Sequence, residues 1–268
     1  MIDYSVMDQP SVLQYIFYPR KDHPLCLDNA FDFSIPVDPD VSISCRFYVG
    51  DQHWPWILFF HGNGEVASDY DGIAPQYHQI KLNLVVADYR GYGASNGIPT
   101  LGGLVHDSHI IFDAVRRELA GRDLRNDLWV MGRSLGSIPA LELAHQHQKV
   151  IHGLIIESGC PSFIRVIRHL GIPTYGVDLE KIDHECIEMI MRITVPTLII
   201  HGEKDTLIPP REAKDLYRYL GSDNKQLVII PSANHNDILS VGFQKYFESL
   251  QQFVEVTDRR NGAKKKTK

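Results

Sequence analysis

From about residue 55 onward, short apolar runs alternate with longer amphipathic stretches, and this rhythm constrains the fold more tightly than any other feature of the chain. The runs fall at 57–60, 84–87, 128–131, 154–156, 197–200 and 227–230, with almost no polar interruption. A strand with one face in water alternates polar and apolar residues, whereas one covered on both faces reads as a continuous apolar run. Between the runs, helices are predicted at about 65–80, 103–120, 135–148, 210–220 and 238–254. In the second of these, Leu104, Ile111, Ala114, Val115 and Leu119 keep helical spacing, with acids and arginines between them. Residues 11–18 and 41–49 read as two earlier strands, antiparallel and bounded by Pro and Asp. The pattern predicts an α/β fold: a mostly parallel eight-stranded sheet flanked by helices.

A sheet of this size with its helices accounts for the 268 residues as a single domain, expected over 1–258. One interval breaks the rhythm. About 40 residues separate the run ending at Glu157 from the one near Thr197, more than one crossover helix requires. They hold two amphipathic pieces, 163–170 and 179–193, around Gly171-Ile172-Pro173. An insertion at the carboxyl end of a strand lies where open α/β sheets bind ligands, so about 160–193 is expected to form a helical lid or cap.

Charge and cysteine usage narrow the partners. Six of the 27 Lys and Arg residues fall in 259–268, leaving 21 against 33 Asp and Glu in the rest of the chain. An acidic body disfavours nucleic acid, whose binding depends on neutralising phosphates; the basic run reads as a disordered tail. Cys26, Cys45, Cys160 and Cys186 are widely spaced and read as free thiols. No window is apolar enough to span a membrane, and the first twenty residues lack the form of a secretory signal. The expectation is a cytoplasmic protein without integral membrane association. His145/His147 and His106/His109 raise a metal site, but an i,i+2 pair points to different helix faces and neither pair carries an HExxH-type carboxylate. No metal and no cofactor are expected.

The sharpest chemical signal is Gly132-Arg133-Ser134-Leu135-Gly136. Such a G-x-S-x-G arises by chance in roughly one chain of this length in ten, so its placement carries the weight. It follows the run at 128–131 and opens a helix, which puts Ser134 on a tight strand-to-helix turn with its hydroxyl above the sheet. Serine needs a base within hydrogen-bond reach and a third group to orient that base. Partners at later strand ends, in the order Ser, acid, His, are Asp205 after His201-Gly202-Glu203-Lys204 and His235 in Ala233-Asn234-His235. Glu157 and Glu203 are rival acids, while His61 and His201 are read as structural. A second turn, His61-Gly62-Asn63-Gly64-Glu65, follows the run at 57–60. Backbone N–H groups of Asn63 and Leu135 are the candidate oxyanion donors. Arg133 either pairs with Glu65 or meets an acidic substrate group.

Together, HGNGE at 61–65, DYRGYGASNG at 88–97, GRSLG at 132–136, HGEKD at 201–205 and ANH at 233–235 resemble the α/β-hydrolase superfamily, in its compact ABHD/prolyl-oligopeptidase-like serine hydrolases. The resemblance implies Ser134 as nucleophile, His235 as base and Asp205 as orienting acid. It also implies that the DYRGYG segment supports the site, with Tyr92 lining it. Phe163, Ile164, Ile167, Tyr175 and Met189 are expected to form an apolar lid face toward a small-molecule acyl substrate of short-to-medium length. The expected activity is hydrolysis of a carboxylic ester or thioester through an acyl-enzyme. A protein thioesterase, a serine aminopeptidase and a non-catalytic binding protein of the same fold are the alternatives.

Overall fold

A computed structural model describes the backbone at residues 2–22 and 25–266, and side chains as far as Arg259. The strands are β1 (Ala30–Asp38), β2 (Val41–Tyr48), β3 (Trp56–Phe60), β4 (Asn83–Ala87), β5 (Leu128–Arg133), β6 (Gly153–Glu157), β7 (Thr197–Gly202) and β8 (Lys225–Ile230). The helices are α1 (Pro10–Ile16), α2 (Ala74–Gln79), α3 (Leu101–Gly121), α4 (Ser137–Gln146), α5 (Phe163–Leu170), α6 (Leu179–Met191), α7 (Pro210–Tyr219) and α8 (Ile238–Lys266). One eight-stranded sheet has the order β1-β2-β4-β3-β5-β6-β7-β8. From β4 to β8 every pairing is parallel; β2 runs antiparallel to both β1 and β4. Strands β3, β4, β6 and β7 are buried throughout, as their continuous apolar runs require.

Side-chain alternation divides the core. Trp56, Leu58 and Phe60 of β3 face a cluster shared with α3 to α7, while Ile57 and Phe59 face the other side with α2 and α8. All six runs became strands; three of the five predicted helices formed close to their expected bounds, and the one at 238–254 begins where expected but runs on to Lys266. The stretch 65–80 did not form one helix. It makes a single 3-10 turn at Ala67–Tyr70 and then α2, because Gly72 and Pro75 interrupt the hydrogen-bond ladder between them.

Residues 11–18 also depart from expectation: 11–16 belong to helix α1 and 17–18 follow it as irregular chain, with no strand there. Pro10 opens that helix at a position where its missing N–H costs nothing, and Val12, Leu13, Ile16 and Phe17 recur with helical spacing. The additional strand is β1, whose Phe31, Phe33, Ile35 and Val37 alternate with polar residues. Its Pro36 is accommodated because β1 is an edge strand. At the far end, the backbone of α8 continues helical to Lys266, so much of the basic run at 259–268 begins as helix; its side chains past Arg259 lie outside the described residues.

Candidate active site

Strand β5 delivers Ser134 to a turn that only this local sequence permits. Ser134 has φ +51°, a left-handed conformation costing about 1–3 kcal/mol in a non-glycine residue. A Cβ at position 132 would lie 2.2 Å from the Gly136 carbonyl oxygen, and one at 136 would lie 2.0 Å from that of Phe60. The two glycines therefore let the turn press against its own helix and against β3, and packing holds the strained serine in place. Ser137 closes the turn by donating its hydroxyl to the Ser134 carbonyl at 2.6 Å.

Two loops from neighbouring strand ends complete the arrangement. His235 Nε2 lies 3.0 Å from Ser134 Oγ, and His235 Nδ1 lies 2.7 Å from Asp205 Oδ2. With the Nδ1 proton donated to the carboxylate, Nε2 is left to accept the serine proton. Asp205 is fully enclosed, and its other oxygen accepts the backbone N–H groups of Leu207 (3.0 Å) and Ile208 (2.8 Å). His201 stands beside it, donating Nε2–H to the Ile208 carbonyl at 2.8 Å. Burial lowers the pKa of His201, which keeps this enclosed ring neutral.

The rival acids are occupied elsewhere. Glu157 accepts from Arg133 (3.0 Å) and Tyr246 (2.8 Å), and Glu203 accepts the backbone N–H of Ser232 at 2.8 Å. His61 donates Nδ1–H to the Gly62 carbonyl and packs on Tyr89, consistent with a structural part. Among the described residues, no group of three or more His, Cys, Asp or Glu is placed to hold a metal ion. His109 and His147 instead pair with each other at 3.1 Å across α3 and the end of α4.

Ser134 opens onto an apolar pocket of about 360 Å³. Asn63 and Leu135, the expected oxyanion donors, both border it beside the serine. Phe163, Val166, Ile167 and Leu170 of α5 form one wall; Tyr15, Ile16 and Tyr18, from α1 and the residues after it, supply another. Four sequence expectations fail here. Ile164 points into the core, one helical step away from the lining face, and Met189 of α6 borders a separate cavity with Glu142 and Glu185. Tyr175 is 70% exposed outside the pocket. Tyr92 is fully buried and supports the wall from behind, its hydroxyl donating to Asn63 Oδ1 at 2.7 Å.

The same Asn63 oxygen accepts the Tyr18 N–H at 3.0 Å, and its amide donates to the Ile16 carbonyl. The wall from α1 escaped the sequence reading because its residues were assigned to a strand. Leu207 and Ile208, two and three residues after Asp205, also line the pocket and carried a readable signal in their position. Cys160 borders it too, but burial raises its pKa and leaves it a protonated, poor nucleophile.

Comparison with known proteins agrees with this architecture. The family model described as Hydrolase_4, serine aminopeptidase S33, matches residues 52–163 and 173–239. Human alpha/beta hydrolase domain-containing protein 17B is 32% identical over 202 residues, 74% of this chain and 65% of that protein. WAV2 of Arabidopsis thaliana, another alpha/beta hydrolase domain-containing protein, is 29% identical over 219 residues, 75% of this chain and 70% of its own. The chain thus spans roughly two thirds of the length of these relatives. Among solved structures, the Pyrococcus furiosus esterase Pf2001 superposes with a TM-score of 0.71 at 16% identity, covering 90% of this chain and 97% of that one. Est1E of Butyrivibrio proteoclasticus, with ferulic acid bound, gives 0.69 at 18% identity over 85% and 99%. Likeness at these identities concerns the fold, whereas the family match covers more than half of the sequence: the chain belongs to the α/β-hydrolase superfamily, in the Hydrolase_4 family.

Proposed function

We propose that the protein is a serine hydrolase cleaving carboxylic esters or thioesters of apolar acyl groups through an acyl-enzyme. The observation that carries this reading is the hydrogen-bonded series Asp205–His235–Ser134 ending at the mouth of an apolar pocket. His235 takes the Ser134 proton as Oγ bonds to the substrate carbonyl carbon, and the Asn63 and Leu135 amides donate to the resulting oxyanion. Collapse of that intermediate breaks the bond to the leaving group, which receives the proton from His235. Water then repeats both steps on the acyl-serine and releases the acid. Asp205 holds the imidazole tautomer and stabilises its charged form.

The pocket favours an ester over a peptide with a free amine. An ammonium group entering an apolar site needs an anionic partner, and among the described residues lining this pocket none is Asp, Glu, Lys or Arg. In this reading α5 shapes the acyl site, and α6 packs behind it without lining the pocket. The test is labelling by a fluorophosphonate probe together with turnover of p-nitrophenyl and thioester substrates. Ser134→Ala is expected to abolish labelling and lower turnover by about 10⁴–10⁶; undiminished turnover in purified Ser134→Ala protein overturns the proposal.

A further inference from the structure

Arg133 is the residue before the proposed nucleophile, yet it does not border the acyl pocket. Alternation along β5 sends Trp129 and Met131 to the opposite face of the sheet, and Arg133 follows them there. Its side chain is 12% exposed and borders a separate cavity of about 190 Å³ with Glu157, Tyr70 and Tyr246. The guanidinium has four partners on three segments. Nε donates to Glu157 at 3.0 Å, Nη1 donates to Glu65, and Nη2 donates to the His235 carbonyl at 3.0 Å and to Asn236 Oδ1 at 3.1 Å. Glu65 passes the connection on: its second oxygen accepts the Gly62 N–H at 2.7 Å, one residue before Asn63. A Cβ at Gly62 would lie 2.3 Å from Nη1, so the turn is shaped around this group.

We infer that Arg133 is a positioning residue whose planar guanidinium fixes the His235 loop and the Gly62–Asn63 turn relative to Ser134. The inference rests on the proposed roles of Ser134 and His235. Stability alone is a weak account of the group, since a buried ion pair is often no better than well-packed apolar residues. Burial opposes the charge on Arg133, and the flanking Glu157 and Glu65 more than restore it, so the group stays charged and its donors stay committed. A fork of donors in one plane can hold a carbonyl and two carboxylates at once; a lysine ammonium on a flexible stem cannot reproduce that spacing. A displacement of about 1 Å in such a constellation costs on the order of 10²-fold in rate.

The decisive variant is Arg133→Lys, which keeps the charge and loses the fork. On p-nitrophenyl butyrate, kcat is expected to fall on the order of 10²-fold while KM stays near the native value and circular dichroism is unchanged. In the same protein, the downfield proton resonance of His235 Nδ1–H is expected to shift or broaden. Arg133→Ala is expected to regain activity with low-millimolar guanidinium but not with sodium at equal ionic strength. Should the single variants fail to fold, Arg133→Met combined with Glu65→Gln and Glu157→Gln, which leaves no unpaired buried carboxylate, carries the same readouts. Native kcat with an unmoved His235 resonance overturns the inference while leaving the hydrolase reading intact. A moved resonance in a protein whose native form cleaves no ester supports the positioning role and overturns the hydrolase reading instead.

Discussion

The carboxyl edge of β5 to β8 and the helices α1 and α5 meet at the same pocket, but they are held by different forces and fall differently against the matched family segments. At the strand edge, Ser134, Asp205 and His235 are joined by hydrogen bonds of 2.7–3.0 Å, and all three lie inside the matched family segments. The walls are apolar. Tyr15, Ile16 and Tyr18 precede the first matched segment, and Val166, Ile167, Leu170 and Ile172 fall in the gap between the two. Hydrogen bonding demands fixed donors and acceptors at fixed angles, whereas a wall needs only volume and apolarity. The hydrogen-bonded series thus lies wholly within the matched segments, whereas the wall is divided: Leu101, Ile138, Phe163, Leu207 and Ile208 fall inside them, and the residues from α1 and the rest of α5 fall outside.

The largest effect that can break this contrast comes from the strand edge. His235→Ala is expected to lower ester turnover nearly as far as Ser134→Ala, by about 10⁴–10⁶, and the double variant to be little worse than either. Losses that add in the double variant, measured as kcat against p-nitrophenyl esters, would show two side chains acting separately and dissolve the distinction between a cooperative edge and an additive wall.

Wall substitutions should behave in the opposite way, grading with substrate rather than abolishing turnover. Each methylene that the pocket accepts contributes about 0.8 kcal/mol, so kcat/KM should rise about fourfold per added carbon until the pocket is filled. Val166, half-buried on the lining face of α5, can be enlarged without touching Ser134. Val166→Trp is expected to lower kcat/KM for the longest accepted acyl chain by about tenfold or more while acetyl esters change little. An equal loss for every chain length would mean that α5 does not bound the acyl site.

This division also decides what the sequence could reveal. Ser134, Asp205 and His235 were readable because each closes a strand whose continuous apolar run announces it, and the chain order Ser, Asp, His leaves few assignments. The strands β3 to β7 were readable for the same reason, and β8 was found by the same apolar run although, at the sheet edge, it is only half-buried. Lining residues carry no such mark. Ile164 and Ile167 are equally apolar, and only the rotation of α5 against the sheet sends Ile167 to the pocket and Ile164 to the core. Met189 and Tyr175 failed similarly, since where α6 and the preceding loop sit is set by tertiary contacts such as Arg165 with Asp183 (3.6 Å) and the Gln9 amide donating to the Tyr175 carbonyl (2.8 Å). In α1, the short apolar stretch fitted both periodicities, and Pro10 was the cue that distinguished them.

One hydrogen-bond cluster joins the two regions, and removing it should have a smaller effect. Tyr92 Oη donates to Asn63 Oδ1 at 2.7 Å and accepts the Tyr18 N–H at 2.9 Å, tying the turn that bears the proposed oxyanion donor to the wall from α1. Tyr92→Phe deletes the hydroxyl but leaves the Tyr18 N–H bonded to Asn63 at 3.0 Å. At about 1 kcal/mol for a lost hydrogen bond, kcat is expected to fall about fivefold, with the acyl-chain profile unchanged. A changed chain-length profile would place Tyr92 in the wall after all.

The smallest expected effect concerns stability and belongs to the strand edge alone. His201 is fully enclosed beside Asp205, and burial lowers its pKa below the ordinary histidine value. Under acid conditions the unfolded chain therefore binds a proton that the folded chain refuses. By linkage, this contribution to stability is fully present above the unfolded pKa and is lost as pH falls below it, by at most about 1.4 kcal/mol per pH unit. Glutamine can keep the hydrogen bond to the Ile208 carbonyl without titrating. His201→Gln is thus expected to flatten the fall in melting temperature between pH 7 and about pH 5, although His78, His109, His145 and His147, whose pKa values burial also lowers, will leave part of the slope. Parallel curves for the native and His201→Gln proteins would show that the enclosed ring takes up its proton without unfolding, and that the strand edge is no more sensitive to acid than the apolar walls.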